Sequence, residues 1–304
     1  MPKPDLSIDF CGIKMKNPVT VASGTFGYGE EFEKYFDLNE LGAIITKSVT
    51  VKAREGNPQP RVVETPYGLI NSIGLQNKGI DYFVEHNLPH LQKFNTPVIA
   101  NIAGKSKEEF AQLAKILDGQ DVVKGFEVNV SCPNVAGGLD FSTDPNATCA
   151  VTEAVKAATR KPVIIKLSPN VTNIVTIAKA AVKSGADGLS LINTILGLGF
   201  VDHPPVPGRG KPKFLIGGLS GPAVKPVALR LIYQVRQEVD VPILGMGGIA
   251  SAADAVEFFT AGASAVAVGT ASFVNPRAAV DVIAGLREFA AKNNLNDLRS
   301  LGLK

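Results

Sequence analysis

The sequence predicts an α/β fold, a (β/α)8 TIM barrel with an N-terminal hairpin and long loops on its C-terminal face. Short apolar runs rich in β-branched residues alternate with helical runs along the 304 residues, which is the pattern of parallel strands joined by helices. The alternation gives eight strands, the number that closes such a barrel. Because a chain of this length commonly forms one α/β barrel, we expect a single domain over residues 1–304.

The eight predicted strands are short and apolar on both faces, as expected of parallel strands covered by helices. In order, they cover residues 19–23, 43–49, 97–103, 126–132, 162–168, 188–194, 242–247 and 265–270. Ahead of the first strand, residues 6–17 are predicted to form a small hairpin that closes the bottom of the barrel.

The helices between the strands begin with recognisable capping residues. Ser106 and Glu109 are spaced as a capping box, and Ser251 with Asp254 resembles one. Asp144 precedes Pro145, so that a cap stands before a first-turn proline. These signals predict helices after strands three, four and seven.

Two connections, residues 50–78 and 195–222, are too long to be simple turns. Both follow strands and therefore lie on the C-terminal face of the barrel, where the active sites of such barrels are found. Long connections of this kind are usually lids or binding loops. We expect the first to be a lid over a bound ligand.

Composition narrows the function classes. The formal net charge is +3 from 31 basic and 28 acidic residues spread along the chain, with no basic block that would indicate a nucleic-acid partner. There is no apolar signal core at the amino terminus and no apolar run long enough to span a membrane. We therefore expect a cytoplasmic protein with no nucleic-acid and no membrane partner.

Cysteine and histidine usage argues against a metal or a disulfide framework. Three scattered cysteines are too few for such a framework and too few for a four-thiolate iron-sulfur cluster in this chain. His86 and His90 are four residues apart, but Pro89 interrupts the helix that a zinc site would need. We expect reduced thiols and no catalytic metal.

Cys132 ends the fourth predicted strand, just before Pro133 and beside Asn129 and Ser131. The carboxyl end of a barrel strand is where catalytic groups lie, so Cys132 is a candidate acid/base or nucleophile. The alternative is a small buried thiol that fills a core gap, which is common for free cysteine. The position and the polar neighbours favour the catalytic interpretation.

Glycines follow the last two strands. Gly245–Ala250 superficially matches a dinucleotide-binding fingerprint, but the acidic residue expected about twenty positions later is absent. This segment is instead the turn after strand seven, and Gly269 and Thr270 lie in the turn after strand eight. Together the two turns predict a phosphate cradle made of free backbone N–H groups and a helix amino terminus. Tight packing of glycines is the alternative.

Polar side chains recur late in several strands. Lys47 and Lys166 stand in otherwise apolar strands, where a lysine is costly unless an anion or electron-rich group compensates it; the alternative is a lysine whose ammonium reaches water. Asn101, Asn129 and Asn193 add paired donors and acceptors. Together they predict a polar ring around a flat, hydrogen-bonding ligand.

An ordered set of motifs resembles dihydroorotate dehydrogenase of class 1, from about residue 5 to residue 290. A cysteine rather than a serine at position 132 resembles the class 1 enzymes. The motifs at residues 23–27 and 245–248 resemble those of the NAD-linked subtype, class 1B. Lys78, where proline is expected, and the long proline-rich segment 200–213 depart from the pattern. The motifs are Ala22–Gly27, Thr46–Ser48, Asn71–Asn77, Asn129–Asn134, Lys166–Pro169, Ile192–Thr194, Gly217–Pro222, Gly245–Gly248 and Val268–Thr270.

The resemblance implies one FMN per chain and assigns residues to it. The matching flavin positions are Ser23, Lys47, Ser48, Asn101, Asn129, Lys166, Ile192, Gly221, Gly247, Gly248, Gly269 and Thr270. The matching pyrimidine positions are Lys47, Asn71, Ser72, Ile73, Gly74, Leu75, Asn129, Asn193 and Thr194. Cys132 matches the catalytic base.

The activity implied is oxidation of dihydroorotate to orotate in pyrimidine (UMP) biosynthesis, with hydride passing to flavin N5. This chain lacks a convincing NAD site, so the class 1B resemblance implies a partner subunit that carries FAD and an iron-sulfur cluster and reduces NAD, with a homodimer inside a heterotetramer. The alternatives are a class 1A-like homodimer that uses fumarate, a dihydropyrimidine-reducing relative, and a phosphate-binding barrel that serves only as a scaffold or sensor.

Overall fold

The structure, a computed structural model, describes residues 4–131, 141–201, 213–295 and 297–302. These residues contain a parallel sheet of eight strands, which are β3 (Val19–Val21), β4 (Ile44–Ile45), β7 (Val98–Ile102), β8 (Val123–Asn129), β9 (Val163–Lys166), β10 (Gly188–Leu191), β13 (Ile243–Met246) and β14 (Ala265–Val268). The strand order in the sheet is β3-β14-β13-β10-β9-β8-β7-β4, and a parallel bridge between Thr20 and Ala43 joins its two edges. The predicted TIM barrel is confirmed.

Helices follow the later strands and cover the outside of the barrel. Ser251 and Asp254 form the predicted capping box, and Asp144 accepts a hydrogen bond from the Asn146 N–H. Ser106 caps its helix, but the Glu109 carboxylate binds the N–H of Lys105, one residue earlier than a capping box requires. The helices are α1 (Ile80–Tyr82), α2 (Leu88–Leu91), α3 (Lys107–Asp118), α4 (Pro145–Ala158), α5 (Ile174–Lys183), α6 (Lys225–Arg236), α7 (Ala252–Thr260), α8 (Ala271–Val274) and α9 (Ala278–Lys292), with a π-helical turn at Phe83–Asn87.

The first connection departs from the expected strand–helix alternation. Between β3 and β4 the structure has a short 3₁₀ turn, Leu38–Glu40, where a helix was expected. Gly27 and Gly29 adopt φ values of +62° and +97°, a left-handed backbone that does not continue a right-handed helix.

Among the described helices, none is both long and apolar enough to cross a lipid bilayer.

The N-terminal hairpin is present, with β1 (Ile8–Phe10) paired antiparallel to β2 (Ile13–Met15). Phe10, Ile13 and Met15 are buried in a cluster with inward-facing residues of the barrel strands. Two glycines make room for the hairpin. A Cβ at Gly125 would lie 2.8 Å from Ile13 Cδ1, and one at Gly188 would lie 2.5 Å from Cys11 Sγ. The hairpin therefore closes the bottom of the barrel, as predicted.

The two long connections are not only loops. They contribute β5 (Val62–Thr65), β6 (Gly68–Asn71), β11 (Ile195–Phe200) and β12 (Phe214–Ser220) to an antiparallel sheet with the order β11-β12-β6-β5. We call this the mouth sheet. Gly197 and Gly199 weaken the strand signal in the sequence, yet Ile70 packs over both, with Cδ1 3.7 Å and 3.2 Å from where their Cβ atoms would be.

Candidate active site

A polar layer lies inside the barrel toward the carboxyl ends of β7, β8 and β9. Asn101, Glu127 and Lys166 are buried there. Asn101 Nδ2 donates to Glu127 Oε2 at 2.5 Å, and the Lys166 ammonium lies 3.5 Å from the same oxygen. The neighbouring residues along these strands pack outward against the helices. The predicted polar positions Asn101 and Lys166 are therefore joined through a carboxylate.

Lys166 also reaches across the barrel to the first strand. Its Nζ donates to Ser23 Oγ at 3.3 Å, and Ser23 itself is buried. Ser48, after the second barrel strand, is also buried. The side chain of Lys166 is only 6% exposed, so its ammonium does not reach water as the alternative interpretation required.

Asn129, Asn193 and Thr194 form a second polar group at the mouth of the barrel. Asn193 Nδ2 donates to Asn129 Oδ1 at 3.3 Å, and the backbone N–H groups of Ser131 and Thr194 donate to Asn129 Oδ1 and Asn193 Oδ1. A Cβ at Gly218 would lie 2.0 Å from Thr194 Oγ1. Glycine at 218 thus lets the mouth sheet lie directly against the pyrimidine-matching residues.

The glycines after strand seven form a tight concave turn. Gly247 and Gly248 adopt φ values of +124° and +84°. A Cβ at Gly247 would lie 3.3 Å from Ile192 Cγ1, and a Cβ at Gly248 would lie 2.9 Å from the carbonyl oxygen of Gly221. Four of the predicted flavin positions are thereby adjacent to one another.

The amides that lead into the helix after this turn have partners within the chain. The Asp254 carboxylate accepts hydrogen bonds from the N–H groups of Ala250 and Ser251, and its other oxygen binds Lys225 Nζ at 2.6 Å. The first turn of α7 is therefore already capped and does not offer these amides to an anion. The predicted cradle therefore depends on the backbone of Gly247 and Gly248.

Gly269 and Thr270 complete this side of the site after strand eight. Thr270 Oγ1 donates to Ser220 Oγ at 2.8 Å, which connects the last barrel strand to the mouth sheet. A Cβ at Gly269 would be in ordinary contact with Ala22 Cβ at 3.4 Å. The turn after β14 thus borders the first strand and the mouth sheet, and the turn after β13 lies against Gly221 at the end of the mouth sheet.

Lys47 stands half-buried after the second barrel strand. Burial lowers the pKa of Lys47 from its usual value, the nearby Arg61 cation lowers the pKa further, and Glu31 opposes both. An ammonium that is partly desolvated and close to another cation is predisposed to bind an anion. Lys47 therefore provides a cationic group at the mouth that is separate from Lys166.

Residues 71–75, the predicted substrate segment, are held by Asn57 rather than left free. Asn57 Nδ2 donates to both the carbonyl oxygen and the Oγ of Ser72 at 2.9 Å, and its backbone N–H donates to the Ile73 carbonyl at 2.9 Å. Gly74 and Leu75 have φ values of +76° and +56°. The segment has a defined conformation supported by the mouth sheet, through Asn71 at the end of β6.

Cys132, the predicted base, lies outside the described residues. The strand that leads to it, β8, ends at Asn129, three residues earlier than predicted. Among the described residues, the buried Ser131 Oγ has no hydrogen-bond partner. The described part of the site therefore ends one residue short of Cys132.

The sequence reasoning missed Glu127 and Asn57. Glu127 could have been found, because it is the one carboxylate inside the apolar run Phe126–Val130 and a buried charge needs a compensating partner. Asn57 carried no such signal, because an asparagine between Gly56 and Pro58 is ordinary loop sequence.

Comparison with known proteins agrees with the geometry. A family model described as dihydroorotate dehydrogenase matches residues 5–290. Curated relatives named dihydroorotate dehydrogenase B (NAD(+)), catalytic subunit, include one from Geotalea daltonii, 54% identical over 302 residues that cover 99% of this chain and 98% of the relative. Those from Desulforamulus reducens and Alkaliphilus metalliredigens are 53% and 51% identical, with 98% and 99% of both chains covered.

Because the family match spans most of the chain, and these relatives align along nearly the whole of it at more than half identity, the chain belongs to the dihydroorotate dehydrogenase family.

Proposed function

We propose that this chain, a single domain over residues 1–304, is the FMN-binding catalytic subunit of a cytoplasmic, NAD-linked dihydroorotate dehydrogenase. It oxidises (S)-dihydroorotate to orotate in pyrimidine biosynthesis. The observation that carries the proposal is the buried Lys166, joined to Glu127, Asn101 and Ser23 within the barrel. A buried cation beside amides and a glycine turn suits a flat, electron-rich ring that bears a phosphate.

The residues present fit FMN. Gly247 and Gly248 leave a concave backbone surface that a Cβ could enter only by displacing Ala228, Gly221 or Lys225, and such a surface suits a phosphate. In the described part of the barrel, Asn101 Oδ1 is buried without a hydrogen-bond partner, and a ring N–H would satisfy it. The residues that would hold FMN are Ser23, Lys47, Ser48, Asn101, Asn129, Lys166, Ile192, Gly221, Gly247, Gly248, Gly269 and Thr270.

The substrate lies, in this proposal, between the barrel and the mouth sheet. The Lys47 ammonium binds the carboxylate of dihydroorotate, and the amides of Asn129 and Asn193 bind polar atoms of its ring. The segment from Asn71 to Leu75, together with Thr194, covers the ring from the mouth sheet side. These residues orient the substrate and exclude water, which favours hydride transfer.

Cys132 is proposed to hold the proton that leaves the substrate. Its thiolate takes the proton from C5 while hydrogen leaves C6 with both bonding electrons, and a double bond forms between C5 and C6. FMN, when bound, supplies the hydride acceptor at N5. The chain is left with orotate and a protonated Cys132 thiol, and the bound cofactor would carry the hydride. Lys166 would then stabilise negative charge on the cofactor.

The two electrons must then pass to another molecule. We propose an electron-transfer subunit, carrying FAD and an iron-sulfur cluster, that passes them to NAD, with two copies of each subunit in a heterotetramer. The name "catalytic subunit" carried by the relatives supports a partner. The three cysteines of this chain are too few for a four-thiolate cluster, which supports a cluster carried by that partner.

The test is single-turnover and steady-state kinetics of the isolated chain. Purified protein should be yellow, dihydroorotate should bleach the flavin, and an artificial dye but not NAD should serve as acceptor until the partner subunit is added. In Cys132→Ala the flavin should be retained while its reduction by dihydroorotate slows by about 100-fold or more, the usual effect of losing a positioned base.

Other results of these experiments would favour a different function or exclude Cys132. Rapid NAD reduction by the isolated chain would remove the need for a partner, and efficient use of fumarate would favour the class 1A alternative. A colourless protein that stays colourless after incubation with FMN would support a phosphate-binding scaffold or sensor. Near-normal flavin reduction in Cys132→Ala would exclude that residue as the base.

A further inference from the structure

Glu127 is a fully buried carboxylate that the proposed reaction does not use. It lies in β8 with 0% of its surface exposed. Phe126 and Val128, on either side, pack outward in the core beneath the helices, so Glu127 faces the barrel interior, because side chains alternate along a strand. Placing a carboxylate there is costly unless other groups compensate its charge.

One oxygen of Glu127 holds two side chains that match flavin positions. Oε2 accepts from Asn101 Nδ2 at 2.5 Å and lies 3.5 Å from Lys166 Nζ. Asn101 and Lys166 belong to β7 and β9, which flank β8 on its two sides. The carboxylate therefore bridges three adjacent strands and constrains both side chains at once.

The other contacts of Lys166, Glu127 and Asn101 show which of their atoms are held and which are left without a partner. Lys166 Nζ also donates to Ser23 Oγ at 3.3 Å, so the ammonium is held from two sides. Within the described residues, Glu127 Oε1 and Asn101 Oδ1 have no hydrogen-bond partner. Asn129, two residues after Glu127 on the same face, is in register with Lys166. Glu127 is itself in register with Asn101, so it lies level with Asn101 and one layer nearer the bottom of the barrel than Lys166 and Asn129.

We propose that Glu127 is a positioning residue that orients Asn101 and Lys166 toward the flavin and, by offsetting the charge of Lys166, lowers the flavin's reduction potential. The inference rests on the proposed FMN site. A lone buried ammonium favours the electron-rich reduced flavin, and a carboxylate 3.5 Å away opposes that effect. A lower potential suits a flavin whose electrons continue toward NAD.

The experiment measures the midpoint potential of the bound flavin in full-length protein by equilibration with a reference dye. In Glu127→Gln the midpoint potential should rise by about 30 mV, which corresponds to a tenfold change in the equilibrium constant of two-electron reduction. Glu127→Asp keeps the charge but shortens the side chain, so its potential should fall between those of wild type and Glu127→Gln. Glu238→Gln removes an equal charge from an exposed ion pair with Lys179 and should leave the potential unchanged.

A merely structural role predicts a different pattern. Glu127→Gln would then lower the melting temperature while the potential stayed at the wild-type value, and that result overturns the proposal, as does an equal shift in Glu127→Asp and Glu127→Gln. If Glu127→Gln does not retain flavin, Glu127→Asp decides: its potential must exceed the wild-type value. Wild-type protein without flavin would instead reject the FMN site itself, before any variant is compared.

Discussion

The two ends of the barrel interior are built on the same strands but have opposite chemistry. Near the bottom, Ile99 and Ile164 lie in an apolar cluster with the hairpin. Two residues further along the same strands stand Asn101 and Lys166, which share the buried carboxylate of Glu127. Because side chains alternate along a strand, one step of two residues separates the part that packs from the part that binds.

This difference shows where stability and function are separated in the chain. The bottom needs only apolar volume of the right shape, and the hairpin supplies it. The mouth contains charges and amides that are compensated mainly by each other, an arrangement that contributes little to stability. We therefore expect substitutions at the bottom to change the free energy of unfolding, and substitutions at the mouth to change ligand binding.

The largest effect is expected for Phe10→Ala in the hairpin. Phe10 is 1% exposed, and its truncation should lower the free energy of unfolding by about 3–5 kcal/mol, measured by denaturant titration. The FMN affinity of the folded protein should remain at the wild-type value. Phe214→Ala, which truncates a ring that is 55% exposed on the mouth sheet, should cost less than about 0.5 kcal/mol. Loss of FMN from folded Phe10→Ala protein would contradict the separation of stability at the bottom of the barrel from binding at its mouth.

A smaller effect, a difference in FMN binding, is expected between the alanine variants of a matched pair of glycines. Gly248 and Gly12 have nearly the same φ, +84° and +83°, but a Cβ at Gly248 would lie 2.9 Å from Gly221 O and from Lys225 Cβ, whereas a Cβ at Gly12 would meet nothing within 4 Å. Both alanine variants carry a backbone strain of about 1–2 kcal/mol. Only Gly248→Ala should also weaken FMN binding, by about tenfold or more, in a fluorescence titration of the apoprotein. Equal affinities in the two variants would remove Gly248 from the cradle.

The smallest effect is a pH dependence of orotate binding through Lys47. Because burial and Arg61 lower the pKa of Lys47, the free folded protein loses this proton at a lower pH than the unfolded chain does. An anionic ligand favours the ammonium, so orotate raises that pKa. Orotate should therefore bind most tightly below the pKa of Lys47 in the free protein, with affinity falling as the pH rises through it.

Calorimetry of orotate binding between neutral and alkaline pH measures this dependence. The Cys132→Ala background prevents the thiol from contributing to the titration. The affinity should fall by about tenfold across the transition, the scale of one charge-assisted hydrogen bond, with proton uptake on binding. Lys47→Arg stays charged and should show no alkaline decrease. An unchanged affinity up to the pKa of an ordinary lysine would contradict the role of Lys47.

Much of this architecture was predictable from the sequence. The eight barrel strands and the hairpin followed from apolar runs and are confirmed, because burial on both faces leaves a continuous pattern. The family and its NAD-linked subtype followed from ordered motifs and are confirmed by the relatives. The catalytic and binding roles of individual residues stay predictions.

Other features were not predictable, for physical reasons. The mouth sheet was not found because Gly197, Gly199 and Gly217 interrupt its strand pattern, and only the three-dimensional contact with Ile70 shows why glycine is needed there. The cap on α7 was found, but its consequence was not. The capping box that starts the helix also occupies the amides of Ser251 and Asp254, which an anion could otherwise bind.

The mouth sheet sets an order in which parts of the chain can fold during synthesis. Asn71 in β6 pairs with Gly218 in β12, 147 residues later, and closing so long a loop is entropically costly until the intervening strands have formed. A nascent chain that ends before residue 214 lacks β12 and cannot complete this sheet. The support that the segment proposed to hold the substrate receives from β12, unlike its hydrogen bonds to Asn57, is therefore added only when most of the barrel has left the ribosome.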